Sequence, residues 1–487
     1  MQTRSAISKT FVPCMELSPP TYVRINELYT AWKEDYIQFI FESRLMTPEK
    51  KAKIYQHNDP IKDEWFLSFY NQDPHAHVAA VKNQQQLTTA MNNNALLIYK
   101  PSVTNKRSHI TGRIDALCHV NFLSKLDIKP SVTDTTFFMM VLDTKTKFEI
   151  LDYSRLKATA FYLYGPVQSP VLIYSIQTKK HEWFVPSEAD IRTVRMLVRN
   201  IRHTKRYSDA FWDYGTFHDR VRPNMKHPSD LWEDEKKEFA DRLGELTKLW
   251  RCTVKYRKNA IKNGVSSWRS SDCSASVLGF PDGAYKEIID AIIRVNRGDY
   301  PGWLYIHNPQ SLDAIRSADD FVYVDFEWID EVYLVGVYDG NKYKSYWASS
   351  LDQKDVKAMY TRVIQHLKDK KVVYWYAEKN KWRSDLKKLS IEDIPITWID
   401  LCGVVRDGVV VKGAFDFKLK NFTRVFYENG EMPYFLDDFE CQNGKDSISF
   451  AKEYYQTMDE GIQQDIEKYN RFDCEAMFYI TRCLKKY

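Results

Sequence analysis

The chain of 487 residues reads as a multidomain α/β protein. Three observations predict this. Apolar runs of strand length recur in both halves, and two of them end on an acid: Phe137–Leu142 leads into Asp143, and Tyr323-Val324 leads into Asp325. Other stretches, such as 188–207, repeat apolar residues at helical spacing. The length admits about two to four domains, and 44% hydrophobic with 28% charged residues is an ordinary balance for a globular chain.

Residues 1–60 are expected to be a mostly helical extension, with Pro19-Pro20 ending an irregular start and a helix from about Arg24 to Leu45. Residues 61–222 form the next expected domain. Its strands are Ala95–Tyr99, Thr111–Val120, Phe137–Asp143, Phe148–Tyr153 and Val171–Gln177, rich in β-branched and aromatic residues. A helix over 188–207 follows, with Arg192, Arg195, Arg199, Arg202 and Arg206 at spacings of three and four beside its apolar face. Such a stripe either tracks a phosphate backbone or is a solvated face. Residues 223–305 read as a helical linker domain, opened by Trp232-Glu-Asp-Glu-Lys236 and closed by Pro301-Gly302. From 306 to 487 a strand meander gives way to alternating helix and strand, then to helices over 447–457 and 461–485.

Several classes are disfavoured. No apolar run follows Met-Gln-Thr-Arg-Ser, so a secretory leader is not expected. The apolar run Phe137–Leu142 is far too short to span a bilayer. No P-loop motif is present, which argues against an NTP-driven motor. The eight cysteines form no C-x-x-C pair, so free thiols in a reducing compartment are expected, with a four-cysteine iron–sulfur site as the alternative. Net charge is +5, compatible with a nucleic-acid partner without requiring one. The aromatics, 14% of the chain, suit either base stacking or cores. A soluble intracellular protein is the expectation.

Tyr323-Val-Asp-Phe-Glu327 and Tyr469-Asn-Arg-Phe-Asp473 carry the most chemistry. On a strand, residues i and i+2 share a face, so Asp325 and Glu327 aim their carboxylates together. On a helix, Tyr469 and Asp473 lie about one turn apart and share a face. Carboxylates converging from separate elements can hold two divalent ions, Mg²⁺ or Mn²⁺, as phosphodiester hydrolysis needs. A fourth acid is expected after the next parallel strand, at a helix start. Val372–Ala377 places Glu378 there, with Asp385 as the alternative. Asp400 follows a strand and is either a supporting acid or a helix cap. Lys418 and Lys420 either hold phosphate or are solvated. A surface-facing pair on an edge strand is the alternative for Asp325 and Glu327, disfavoured by the apolar run before them.

This set resembles the DEDD-type 3′–5′ exonucleases, which have an RNase H-like fold. Glu378 departs from their usual Asp. Trp398-Ile-Asp-Leu401, Phe417-Lys-Leu-Lys420 and Tyr469-Asn-x-x-Asp473-Cys474 are similar to RNase H-like domains fused to RecB-like nucleases. That resemblance covers residues 321–485. It implies that Asp325, Glu327, Glu378 and Asp473 are metal ligands and that Tyr469 orients the attacking water.

A second constellation lies upstream. Gly112-Arg-Ile-Asp115 is followed by Phe137–Leu142 and then Asp143-Thr-Lys145. Asp115 and Asp143 on adjacent strands could hold a divalent metal, and Lys145, on the same face, could polarise water. The alternative is a surface Asp143–Lys145 salt bridge. The segment resembles RecB-like nucleases of the PD-(D/E)xK, restriction-endonuclease-like fold over about residues 61–185. In that family a helix with Gln-x-x-x-Tyr follows, and the matching Lys157–Tyr164 lacks the Gln. An upstream acidic or His motif is not evident either, with His75 and His77 the nearest candidates. The domain is therefore read as an active nuclease or as a degraded one that still binds DNA.

The order of modules, RecB-like then helical then RNase H-like, is similar to that of predicted RecB-family nucleases of bacteria and large DNA viruses. Asn224-Met-Lys226, Thr247-Lys-Leu-Trp250 and Ser267-Trp268 extend the likeness through the linker, so that it spans residues 61–487. It implies a metal-dependent nuclease acting on single- or double-stranded DNA ends, with 3′–5′ polarity in the C-terminal module. A helicase or recombination protein is the partner class such a nuclease would have. RNA processing and a catalytically inactive nucleic-acid scaffold are the alternatives.

Overall fold

Alternation along two central strands decides where the acids point. In the strand Phe137–Asp143, Phe137, Met139 and Val141 enter one buried cluster, and Phe138, Met140 and Leu142 enter another on the opposite face. In Phe321–Trp328, Val322, Val324 and Phe326 face one cluster, and Phe321 and Tyr323 face another. Asp325 and Glu327 therefore share the face of Phe321 and Tyr323. The structure is a computed structural model. It describes residues 22–50, 59–79, 81, 83–145, 148–214, 218–317, 320–436 and 439–487. The expectations for Pro19-Pro20 and Cys14 lie outside these residues.

The chain divides into two units, Met1–Leu243 and Gly244–Tyr487. The boundary falls inside the stretch expected to be a linker. Its later helices are built into the second unit: Ile288, Ile289 and Ile292 share a buried cluster with Val409 and Phe426.

In the first unit β1 (Val23–Arg24), β4 (Ser102–Asn105) and β5 (Ile110–Arg113) form a small sheet in the order β1-β5-β4. A larger sheet has the order β2-β3-β6-β7-β8-β9, from His77–Ala79, Leu97–Tyr99, Ala116–His119, Phe137–Asp143, Val171–Ser175 and His181–Phe184. β7 pairs antiparallel with β6 and parallel with β8. The expected strand Thr111–Val120 is divided: β5 and β6 belong to different sheets, with Asp115 at the crossing. Phe148–Tyr153 is no strand. It has no ladder partner, and a helix starts at Asp152 and runs to Tyr164. The expected single helix over 24–45 is two, Glu27–Trp32 and Ile37–Leu45. Glu34, between them, has a φ of 55°, which no α-helix accommodates.

In the second unit β10 (Leu304–Ile306) pairs with β16 (Val409–Val411). The main sheet has the order β13-β12-β11-β14-β15, from Phe321–Trp328 (β11), Val332–Tyr338 (β12), Tyr343–Trp347 (β13), Lys371–Tyr374 (β14) and Thr397–Asp400 (β15). β11, β12 and β13 form the antiparallel meander, and β14 and β15 add in parallel. Helices Gln353–Leu367 and Glu378–Lys388 pack on one face through Met359, Val363 and Trp382. The C-terminal helix, Glu460–Leu484, covers the other through Phe472 and Met477.

Candidate active site

The face of β11 under the C-terminal helix is apolar except where the acids lie. Asp325, Glu327 and Asp473 each offer an oxygen within 4.8 Å of the others'. Among the described residues no other group of three or more His, Cys, Asp or Glu side chains is so placed. That includes the cysteines: seven are free and buried, with none grouped to bind a cluster.

Asp325 and Glu327 are held by polar neighbours. Asn470 donates from Nδ2 to Asp325 Oδ2 at 2.7 Å and to the Asp325 carbonyl at 3.2 Å, and its Oδ1 accepts from the Tyr343 hydroxyl at 2.9 Å. The Ser447 hydroxyl donates to Glu327 Oε2 at 2.6 Å. Asp473 Oδ1 is buried with no hydrogen-bond partner among the described residues. An orphaned carboxylate oxygen is costly unless something binds there.

Burial, then the charges of Glu327, Asp473 and Glu378, raises Asp325 well above the usual carboxylate range. Burial pushes Glu327 up to about 8, with Asp473 adding and Ser447 opposing. Burial pushes Asp473 up to about 6 against the pull of Lys420. Burial and neighbouring like charges both favour the protonated carboxyl. The donor set is all hard oxygen, so these residues fit a divalent ion such as Mg²⁺ or Mn²⁺.

Tyr469 is buried, its ring beneath the Lys420 ammonium at 5.2 Å. Burial, then Asp473, Glu327 and Asp325, raises its hydroxyl pKa far above the ordinary value, so it stays protonated. Lys420 is half-buried, its pKa lowered by burial with Asp473 opposing. Lys418 is exposed. Glu378 opens its helix, buried, and accepts from the Tyr376 N–H at 2.9 Å. It lies outside the three-acid group but contributes charge to Asp325 and Asp473. Asp385 is committed elsewhere, accepting from Tyr360 at 2.7 Å and Lys381 at 3.0 Å. Asp400 caps the helix Leu401–Gly408 by accepting from the Gly403 N–H at 2.8 Å, and its charge also reaches Glu378.

In the first unit Asp115, Asp143 and Lys145 line one cavity of about 830 Å³. Asp115 accepts from Lys157 at 2.6 Å, from Lys62 at 3.4 Å and from the Leu142 N–H at 3.0 Å. Burial alone would raise its pKa, but Lys157 and Lys62 hold it below the ordinary value. Two ammonium groups thus supply counter-charge to Asp115. Asp143 Oδ2 is buried without a hydrogen-bond partner among the described residues, and Lys145 is exposed. His77 is buried against Phe69 and Phe122 and bonds the Asp73 carbonyl; neither it nor His75 lines the cavity.

Of the five stripe arginines, Arg195, Arg199, Arg202 and Arg206 line a separate cavity, while Arg192 pairs with Glu188 at 3.1 Å. Sequence reasoning missed Asn470, Ser447, Tyr343, Lys62 and the role of Lys157. Asn470 alone left a signal, an amide on a helix face otherwise filled by Ile466, Cys474 and Met477.

No helix of the described residues is long and apolar enough to cross a membrane. Comparison with curated proteins and with solved structures gives no match. The RNase_H_2 model of the RNase_H superfamily matches residues 322–485, the segment that runs from β11 to the C-terminal helix and holds all three clustered acids. The C-terminal region is thus similar to RNase H superfamily domains, which suggests a nuclease-like function on a nucleic-acid substrate.

Proposed function

We propose that the protein is a nuclease that hydrolyses phosphodiester bonds of DNA at the Asp325–Glu327–Asp473 site with Mg²⁺ or Mn²⁺, trimming strands from the 3′ end. The convergence of three acids on one sheet face, Glu327 and Asp473 buried and Asp325 partly so, carries this reading. Asp325, Glu327 and Asp473 would hold the ions, with Glu378 completing the set. When bound, such ions activate water and neutralise the leaving oxygen.

The chain's own groups do the rest. Asn470 and Ser447 fix the rotamers of Asp325 and Glu327. The Tyr469 hydroxyl stays protonated and so orients the attacking water by hydrogen bonding rather than by taking its proton. Lys420 stands beside Asp473, where it can pair with substrate phosphate. Tyr376, 77% exposed and two residues before Glu378, offers a ring on which a base can stack. The 3′–5′ polarity rests on the resemblance to DEDD exonucleases, and the preference for DNA on the resemblance to RecB-family nucleases.

For the first unit the lysine pairing of Asp115 favours a cavity that grips nucleic acid without cutting it. Six cations, Arg24, Lys62, Lys100, Arg113, Lys145 and Lys157, line it against four carboxylates.

The test is digestion of 3′-labelled and 5′-labelled DNA and RNA, single- and double-stranded, by wild type, Asp325→Ala and Asp143→Ala in Mg²⁺ or Mn²⁺. A ladder from the 3′ end that Asp325→Ala abolishes and Asp143→Ala retains is expected. A ladder on RNA alone would move the substrate to RNA. No metal-dependent cleavage of any substrate would leave a binding scaffold.

A further inference from the structure

The helix Glu188–Tyr214 segregates its charges. Its four acids are all engaged by cations: Glu188 by Arg192, Asp190 by Arg155, and Asp209 and Asp213 by Arg44. Between Ile191 and Ser208 there is no carboxylate. Lys205 turns to Glu27, at 2.7 Å. Arg195, Arg199, Arg202 and Arg206 instead line a cavity of about 840 Å³. Arg220, His203 and His218 line it as well, and among the described residues no Asp or Glu does. It shares no lining residue with the cavity around Asp115.

Two of the guanidiniums are anchored from within. Arg202 donates to the Ser108 carbonyl, and Arg220 donates to Asn200 Oδ1 at 3.4 Å. Arg195, Arg199 and Arg206 are exposed. His203 registers the resulting field: burial lowers its pKa first, and Arg220, His218, Arg199 and Arg206 all lower it further. Gathering like charges around one concavity raises the free energy of the empty state, and an anion relieves it. Guanidinium forks match phosphate oxygens in pairs. Arg195 to Arg206 spans roughly 16 Å along the helix at 1.5 Å per residue. A nucleic-acid strand carries a phosphate about every 3.4 Å of helix rise, so the row is long enough for several. Tyr164 and Tyr207 add ring faces to the lining.

We propose that this cavity is a receptor for consecutive nucleotide phosphates, carried by the end of a nucleic-acid strand or by a free nucleotide polyphosphate. It does not depend on the nuclease reading: phosphate binds here whether or not the carboxylate cluster cuts.

The experiment is fluorescence anisotropy of a short 3′-fluorescein oligothymidylate bearing a 5′-phosphate, in EDTA so that no cleavage intervenes. Arg199→Gln and Arg206→Gln are each expected to weaken binding about tenfold, and each to reduce the salt slope by about one. Lys237→Gln, an exposed single-charge change outside both cavities, should leave binding as in wild type. Thermal melting establishes that each variant is folded, and Arg220→Gln provides an independent probe from outside the helix. Competition by ATP would assign the receptor to free nucleotides, and its failure to strand ends; both support it. Wild-type affinity and salt slope in the folded Arg199→Gln/Arg206→Gln and Arg220→Gln proteins would overturn it. Because binding is measured in EDTA, loss of binding is read separately from loss of cleavage.

Discussion

Asn470 is fully buried between a carboxylate and a tyrosine, with both ends of its amide occupied. Asn470→Ala strands Asp325 without its donor. Hydrogen bonds to charged groups contribute about 1.5–3 kcal/mol, so a stability loss of that order, seen as a lower Tm in calorimetry, is expected together with reduced cleavage. Tyr469→Phe retains the ring under Lys420 and removes only the hydroxyl. A loss of roughly 10²-fold in kcat with little change in KM is expected from misplaced water. Because the hydroxyl does not titrate near neutrality, single-turnover rates should keep the wild-type pH profile; a shifted profile would make Tyr469 a proton carrier instead. Spacings of two and four residues made Asp325, Glu327, Tyr469 and Asp473 legible in the sequence. The partners of Ser447 and Asn470 were not, because their bonds to Glu327 and Asp325 close over 120 and 145 residues. Local periodicity carries no record of such distant pairs.

At the scale of elements, Gly336 shows how closely the C-terminal helix lies on the sheet. It stands opposite Asp325 in the ladder, and a Cβ there would meet Asn470 Oδ1 at 1.8 Å. Gly336→Ala should therefore destabilise the protein by about 1–3 kcal/mol and disturb Asp325 through Asn470, read as a lower denaturant midpoint and weaker cation binding. Lys157 plays a comparable part in the first unit, from the helix Asp152–Tyr164. Lys157→Gln should destabilise by on the order of 1–3 kcal/mol, the penalty for a buried charge losing its partner. Adding Asp115→Asn should recover part of that loss in a double-mutant cycle. An additive pair would mean that Lys157 does not serve Asp115. The strand meander and the last two helices of residues 321–485 were legible because apolar runs and helical repeats there have lengths close to the real elements, whereas Leu401–Gly408, Val409–Val411 and Leu419–Glu428 were not read as elements. Thr111–Val120 misled, since its β-branched composition says strand without saying which sheet. Phe148–Tyr153 misled because its apolar residues pack outside any ladder and then start a helix.

At the scale of the molecule, the carboxylate cluster couples stability to pH and to cations. Glu327 and Asp473 have carboxyl pKa values raised to about 8 and about 6 from ordinary values of 4.5 and 3.8. Between each pair of values the folded chain holds more protons than the unfolded one. The cluster's contribution to stability is therefore fullest below the ordinary values and falls as pH rises through the raised ones. Without cations, Glu327→Gln should flatten that decline in Tm. Cations restore what deprotonation costs, so the Tm gain on adding Mn²⁺ should be larger at pH 8 than at pH 6.

The measurement that tests the central claim most directly is a calorimetric titration of Mn²⁺ into the full chain, repeated in buffers of different ionisation enthalpy. Wild type should bind Mn²⁺ with release of protons, and Asp473→Asn, folded by its melting curve, should bind at least about tenfold more weakly, with fewer protons released. Absence of binding by wild type, or the same affinity and proton release in Asp473→Asn, would contradict the assignment of these three acids as a metal-dependent nuclease site.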